Sequence, residues 1–141
     1  MRMQELLRSR IEQRLIAHSG LSNADYTVLA VLAAAPKRRM RLVDLGTTLG
    51  WERSRVHHQL TRMGKRGLVE RGPMADAADG RAIEAVLTDQ GLAAIRKARR
   101  HHAGDVRELV VDVLDDRQLE QLGEVSSVLL AALEGRETPR D

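Results

Sequence analysis

The side chains in this sequence best suited to chemistry are crowded into one short stretch. Arg53-Ser54-Arg55 is followed at once by His57-His58, while Val56, Leu60 and Met63 recur at i, i+4 and i+7. On a helix that spacing turns the three apolar side chains inward and leaves Arg53, Ser54, Arg55, His57 and His58 outward near the N-terminus. A guanidinium fork there can bond the O6 and N7 edge of guanine bidentately, worth roughly 1–3 kcal/mol of discrimination. Arg62, Lys65 and Arg66 further along, and the cluster Lys37, Arg38, Arg39 and Arg41, are suited instead to phosphate. Phosphate contacts raise affinity but carry no sequence information. Taken alone, the same stretch also reads as an ordinary solvated helix face.

Other chemistries find little support. The chain has no cysteine, which removes disulfides, thiolate nucleophiles and thiol switches and fits a reducing cytoplasm. Its only aromatic residues are Tyr26 and Trp51, few for an enzyme pocket or a platform that stacks single-stranded bases. There is no phosphate-binding glycine loop, no zinc-protease helix motif and no nucleophile elbow. Asp115-Asp116 are adjacent carboxylates, but they fit a helix cap better than an acid–base pair. His57-His58 and His101-His102 cannot chelate as pairs, because neighbours on a helix project about 100° apart. No enzyme, cofactor or metal site is therefore expected.

The elements that must position the basic stretch can be read from periodicity. Leu6, Leu7, Ile11, Leu15 and Ile16 make a first amphipathic helix over residues 2–17, broken at Gly20. Ser22 stands three residues before Asp25, a capping-box start for a helix over 23–34. Pro36 with the basic cluster then forms a turn. A short helix fits 42–49 and stops at Gly50; a longer one fits 52–65 and stops at Gly67. Arg41 and Glu52 are poor caps for these two. Two short strands follow at 68–71 and 82–87, around a turn-rich segment too long for a tight hairpin, which makes a wing. Thr88 caps a long helix whose stripe runs Leu92, Ile95, His102, Val106, Leu109 and Val113. Asp115, with Gln118 three residues on, caps a last helix through Leu119, Leu122, Leu129 and Leu133; the tail 134–141 reads as flexible. The fold class expected is mainly α with a small β-wing, a winged helix-turn-helix with flanking helices.

Charge is unevenly shared. Residues 1–71 hold 14 Lys/Arg against 6 Asp/Glu, a balance of +8, while 72–141 hold 9 against 14, a balance of −5. Attraction to a polyanion is thus concentrated in the first half, unless that half is simply a solvated basic face. No apolar run approaches the roughly 18 residues that span a bilayer, and Met1-Arg2-Met3-Gln4-Glu5 has no apolar core of the secretory kind. No membrane partner is expected, and a cytoplasmic location is.

Several of these segments together resemble the MarR (multiple antibiotic resistance regulator) family. The resemblance lies in Leu49-Gly50, Arg53-Ser54-x-Val56, Arg62-Met63 and Arg66-Gly67-Leu68-Val69-Glu70-Arg71. It continues in Asp79-Gly80-Arg81-Ala82 and Leu87-Thr88-Asp89-Gln90-Gly91, similar in order and spacing to the family's wing signature. Membership would imply a DNA-binding transcription regulator, by default a repressor, acting as a homodimer on a pseudo-palindromic operator. Arg81 would enter the minor groove, Asp79 would hold that arginine and the wing, and 53–58 would read bases. A single MarR-like domain over 1–141 would then divide into a DNA-binding lobe at 20–88 and dimerisation helices at 1–19 and 89–133. Leu109, Val113, Leu122, Leu129 and Leu133 are the expected dimer contacts. Independently, the apolar stripes after residue 89 exceed what one small winged domain can cover. The resemblance also implies a small-molecule effector, for which Leu15, Tyr26, Ala30 and Met40 are candidate lining residues; an ordinary packed core there is the competing reading. Trp51 is expected to be buried between the two helices of the motif. A winged-helix module for protein contact or chromosome architecture is the alternative function.

Overall fold

A computed structural model of the chain describes residues 1–74 and 80–135. They form two compact units, Met1–Ala103 and a second that begins at Gly104.

In the first unit, α1 (Arg2–Ser19) ends at Gly20 and α2 (Asn23–Ala34) opens with the expected capping box. The Ser22 hydroxyl accepts from the Asp25 amide at 3.1 Å, and the Asp25 carboxylate accepts from the Ser22 amide at 3.0 Å. Two donors that a helix start leaves orphaned are satisfied reciprocally. Next come α3 (Leu42–Leu49) and α4 (Arg53–Lys65), neither with a side-chain cap, as Arg41 and Glu52 lead one to expect. The turn between them rests on Gly50, whose φ of 64° lies in the left-handed region. That reversal lets the Trp51 amide donate to the Gly46 carbonyl at 2.9 Å and closes α3 in a Schellman-like cap.

The wing has two strands at nearly the expected places, β2 (Val69–Pro73) and β3 (Ile83–Leu87), and a third that the sequence reading lacks, β1 (Arg39–Arg41). All pair antiparallel in the order β1-β3-β2, with Met40 opposite Ala85 and Arg71 opposite Ala85 from the other side. Three residues with two arginines carry almost no strand signal. The pairing comes from the open edge of β3, and the Arg39 guanidinium secures it by donating to Glu84 at 3.0 Å. The preceding basic segment, Pro36–Arg38, is a tight turn rather than a helix, with Lys37 and Arg38 both at positive φ, 54° and 55°.

The core of this unit gathers Leu29, Leu32, Leu45, Leu60, Met63 and Ile95, all with no exposed surface. Each such side chain contributes about 1.5–3 kcal/mol by leaving water. The start of α5 (Asp89–Val106) belongs to the same core, because Gly91, Ile95 and Ala98 are buried in it. The first unit accordingly runs on to Ala103. The Thr88 hydroxyl accepts from the Gly91 amide at 2.9 Å and donates to the Gly67 carbonyl at 2.7 Å. A Cβ on Gly91 would strike the Leu68 carbonyl oxygen and the Leu87 side chain. The Thr-x-x-Gly spacing is thus a docking device between α5 and the root of the wing.

The stripe expected to continue helically to Val113 does not. α5 gives way to a π-helical turn at Arg107–Val111, where the Asp112 amide bonds the Arg107 carbonyl at 2.9 Å and the two side chains meet at 3.5 Å. Such wide turns shift the register of the side chains that follow. In the second unit α6 (Asp116–Glu134) starts with the expected capping box between Asp115 and Gln118, and it has no buried residue. Of the tail, only Gly135 falls within the described residues.

Gly91→Ala should lower unfolding free energy by about 1–3 kcal/mol, the usual cost of overpacking. Gly72→Ala, where no atom lies within 4 Å of the added carbon, should change it by under about 0.5 kcal/mol. Urea titrations of both variants decide the point; equal midpoints would remove the steric account of the motif.

Candidate nucleic-acid interface

The face of α4 is arranged as its periodicity requires. Val56, Leu60 and Met63 are buried, Arg53, Ser54, Arg55 and His58 are exposed, and His57 is half-buried. The Arg55 guanidinium lies 4.0 Å above the centre of the Trp51 ring, a cation–π stack. Trp51 therefore does two things at once: half-buried, it packs on the core with one side and carries Arg55 on the other. The expectation of simple burial understates its role.

The wing reaches this helix. Val43 of α3, Trp51, Arg53 and His57, and Arg81 and Ile83 at the start of β3 line one open groove. A second depression joins His57 and Arg81 to Arg71 and Gly80. Sequence positions 28 apart, Arg53 and Arg81, thus share one surface. Arg71 is a basic residue of this surface that the sequence reading passed over as part of a strand; its place beside Arg81 follows only from the pairing of β2 with β3. Asp79 lies outside the described residues.

The basic residues assigned to phosphate divide into two groups. Arg62 and Lys65 are exposed on α4, and Lys37 is exposed at its strained turn. Arg39 is spent on the buried Glu84, and Arg38 lies 3.8 Å from Asp89. Arg66, also exposed, is already engaged: it donates to the Asp25 carboxylate at 2.6 Å and to the Gly20 carbonyl at 2.9 Å. Gln59, which no sequence pattern singled out, is also buried here and donates to Asp25 at 2.6 Å.

Away from this face the histidines stack rather than cluster. His18 and His101 lie face to face with ring centres 4.9 Å apart, and His102 leans on Tyr26 at 4.7 Å. Among the described residues no three His, Asp or Glu side chains come together as a metal site would need. Leu15 is a core residue, and Tyr26, Ala30 and Met40 are partly buried against the same core. No helix of the described residues is long and apolar enough to cross a membrane.

No protein-family model matches the chain, and no curated protein sequence does. Solved structures do. AbsC, a MarR family transcriptional regulator from Streptomyces coelicolor, is 34% identical over 94% of this chain and 87% of its own, with a TM-score of 0.80. The chain belongs to the MarR family. Sco3205, another family member from the same organism, solved in complex with DNA, is 31% identical over 92% of this chain and 83% of its own, at a TM-score of 0.79. A mutant MarR from E. coli, complexed with operator DNA, shares the fold at 19% identity, with a TM-score of 0.75 over 92% of this chain and 91% of its own. Within this MarR-family chain Arg53 of α4 and Arg81, just before β3, line the same groove.

Arg66→Gln should cost about 1–3 kcal/mol of stability, because it weakens the partner of a buried carboxylate. Lys65→Gln, one position away and exposed, should stay within about 0.5 kcal/mol. Denaturant midpoints measure both. Equal effects would make Arg66 a surface cation like its neighbour.

Proposed function

We propose that this chain is a sequence-specific double-stranded DNA-binding regulator of transcription, working as a homodimer on a pseudo-palindromic operator and without enzymatic activity. The single observation that carries the reading is the shared groove. Arg53 and His57 of α4 and Arg81 at the loop end of the wing line one groove, and α4 belongs to the half of the chain with a charge balance of +8. In this reading the N-terminal turns of α4 enter the major groove, where Arg53, Ser54, Arg55, His57 and His58 meet base edges. Arg81 reaches the neighbouring minor groove, with Asp79 as its expected partner. Lys37, Arg62, Lys65 and Arg71 face phosphates. Arg38, Arg39 and Arg66 are better suited to holding the frame, since each already faces a carboxylate. The complex of Sco3205 with DNA supports the same reading.

The dimer follows from apolar surface. Leu122, Leu129 and Leu133 of α6 expose 43%, 58% and 62% of their surface, and Val113 exposes 69%. A run of this size is what a second copy covers in small regulators; Leu109, half-buried, adjoins it. Two copies would place two recognition helices about one helical turn of DNA apart. Repression is the default mode for a regulator without a separate activating surface. Release by a small effector is an added element of the proposal, with half-buried Tyr26, Ala30 and Met40 as candidate lining.

Binding to DNA from the protein's own upstream region, against scrambled DNA at two salt concentrations, tests the reading. Tight, selective binding that falls steeply with salt is expected, because neutralising several phosphates releases counterions. Arg81→Ala should weaken it by about fivefold or more, within the roughly 1–3 kcal/mol of a good groove contact, with the fold retained by circular dichroism. Weak binding, equal on both DNAs, would favour a winged-helix module for protein contact. Leu129→Arg should shift the mass measured by light scattering from two chains to one; a variant still dimeric would take the last helix out of the interface.

A further inference from the structure

We propose that Gln59 is a positioning residue for DNA binding: with Asp25 it fixes the direction in which Arg62 presents its guanidinium. The inference rests on the DNA-binding reading above and deepens it at one residue.

The argument starts from the carboxylate. Asp25 is 4% exposed and Gln59 3% exposed, so every polar atom of this pair must find its partner inside the protein. An ionised carboxylate only accepts hydrogen bonds. One oxygen of Asp25 takes the Ser22 amide and Arg66, and the other takes the Gln59 side chain at 2.6 Å. Because the acceptor is fixed, the Gln59 amide has one permitted orientation. Its NH₂ must face Asp25, and its carbonyl oxygen must face the opposite way. That oxygen meets Arg62, one turn further along α4, which donates to it at 2.9 Å. A donor in place of that oxygen would repel the guanidinium instead. The relay therefore runs from a buried charge, through an amide with no freedom to flip, to an exposed arginine.

Only one of the five N–H groups of Arg62 is used in this contact. Arg62 is itself exposed, which suits it to the DNA phosphate that the proposal assigns to it. A long arginine side chain loses rotamer freedom when it binds, and a contact that orders it beforehand lowers that cost. The same carboxylate is held by Arg66, which also bonds the Gly20 carbonyl at the α1–α2 corner. The aim of Arg62 thus depends on the seating of α4 against α2, not on α4 alone.

A double-mutant cycle on the full chain tests this, read as affinity for the upstream DNA at fixed salt. Gln59→Met keeps the buried volume and removes both ends of the relay. It should weaken binding about threefold to tenfold where Arg62 is present, and less than about twofold in an Arg62→Ala background. A purely structural role would cost the same affinity in both backgrounds, which would overturn the proposal. Should Gln59→Met fail to fold, as judged by circular dichroism, Asp25→Asn takes its place in the cycle, because an asparagine lets the Gln59 amide flip. Additive effects there would likewise overturn it. Absence of salt-dependent binding by the unaltered protein would instead remove the DNA-binding reading, and this inference with it.

Discussion

A charge buried near the middle of the winged unit sets terms for much else in this molecule. Removing a carboxylate from water costs several kcal/mol unless cations and donors replace the lost hydration. Asp25 meets that demand with groups from three places: the cap of its own helix, the middle of α4 and the C-terminal cap of α4. Each is needed elsewhere in its own right. The capping box starts α2, Gln59 sits at the contact between α2 and α4, and Arg66 closes the corner at Gly20. Apolar packing of Val56, Leu60 and Met63 turns one face of α4 to the core. The directional bonds from Gln59 and Arg66 to Asp25 add to that seating of α4.

A second constraint is steric and acts at the other edge of the motif. Gly91 sits against the Leu68 carbonyl, and Thr88 bridges the first turn of α5 to the end of the preceding turn. The wing root and α5 are thereby fastened to one point. From that point β3, paired on both edges, runs back to the groove that Arg81 and Ile83 line. Position on the outer surface is set by contacts that are entirely internal.

How far this was legible in the sequence depended on the kind of signal. Helices α2, α3 and α4 have strong periodicity and glycine stops, and their bounds are read to within a residue. The capping boxes at Ser22 and Asp115 follow from side-chain chemistry within four residues, so they too are visible. β1 was not, because its strand character comes from the edge of β3, 45 residues away, and not from Arg39–Arg41. The π-turn at Arg107–Val111 was missed for a related reason: a hydrophobic stripe does not record one widened turn. At the interface, residue types marked Arg53, Arg55 and Arg81. They could not separate unengaged arginines from Arg66, whose partner Asp25 lies 41 positions earlier. Gln59 carried no signal at all, since a lone glutamine on the inner face of a helix reads as an interruption of the stripe.

The stack of Arg55 on Trp51 has an optical corollary. Trp51 is the chain's single tryptophan, and no phenylalanine is present. Nearly all of the intrinsic ultraviolet emission therefore originates at the turn between α3 and α4. An indole beneath a guanidinium at 4.0 Å is sensitive to that cation's departure or redirection. The fold has placed its own fluorophore under one of its outward arginines, so events at that surface can be followed in unlabelled protein.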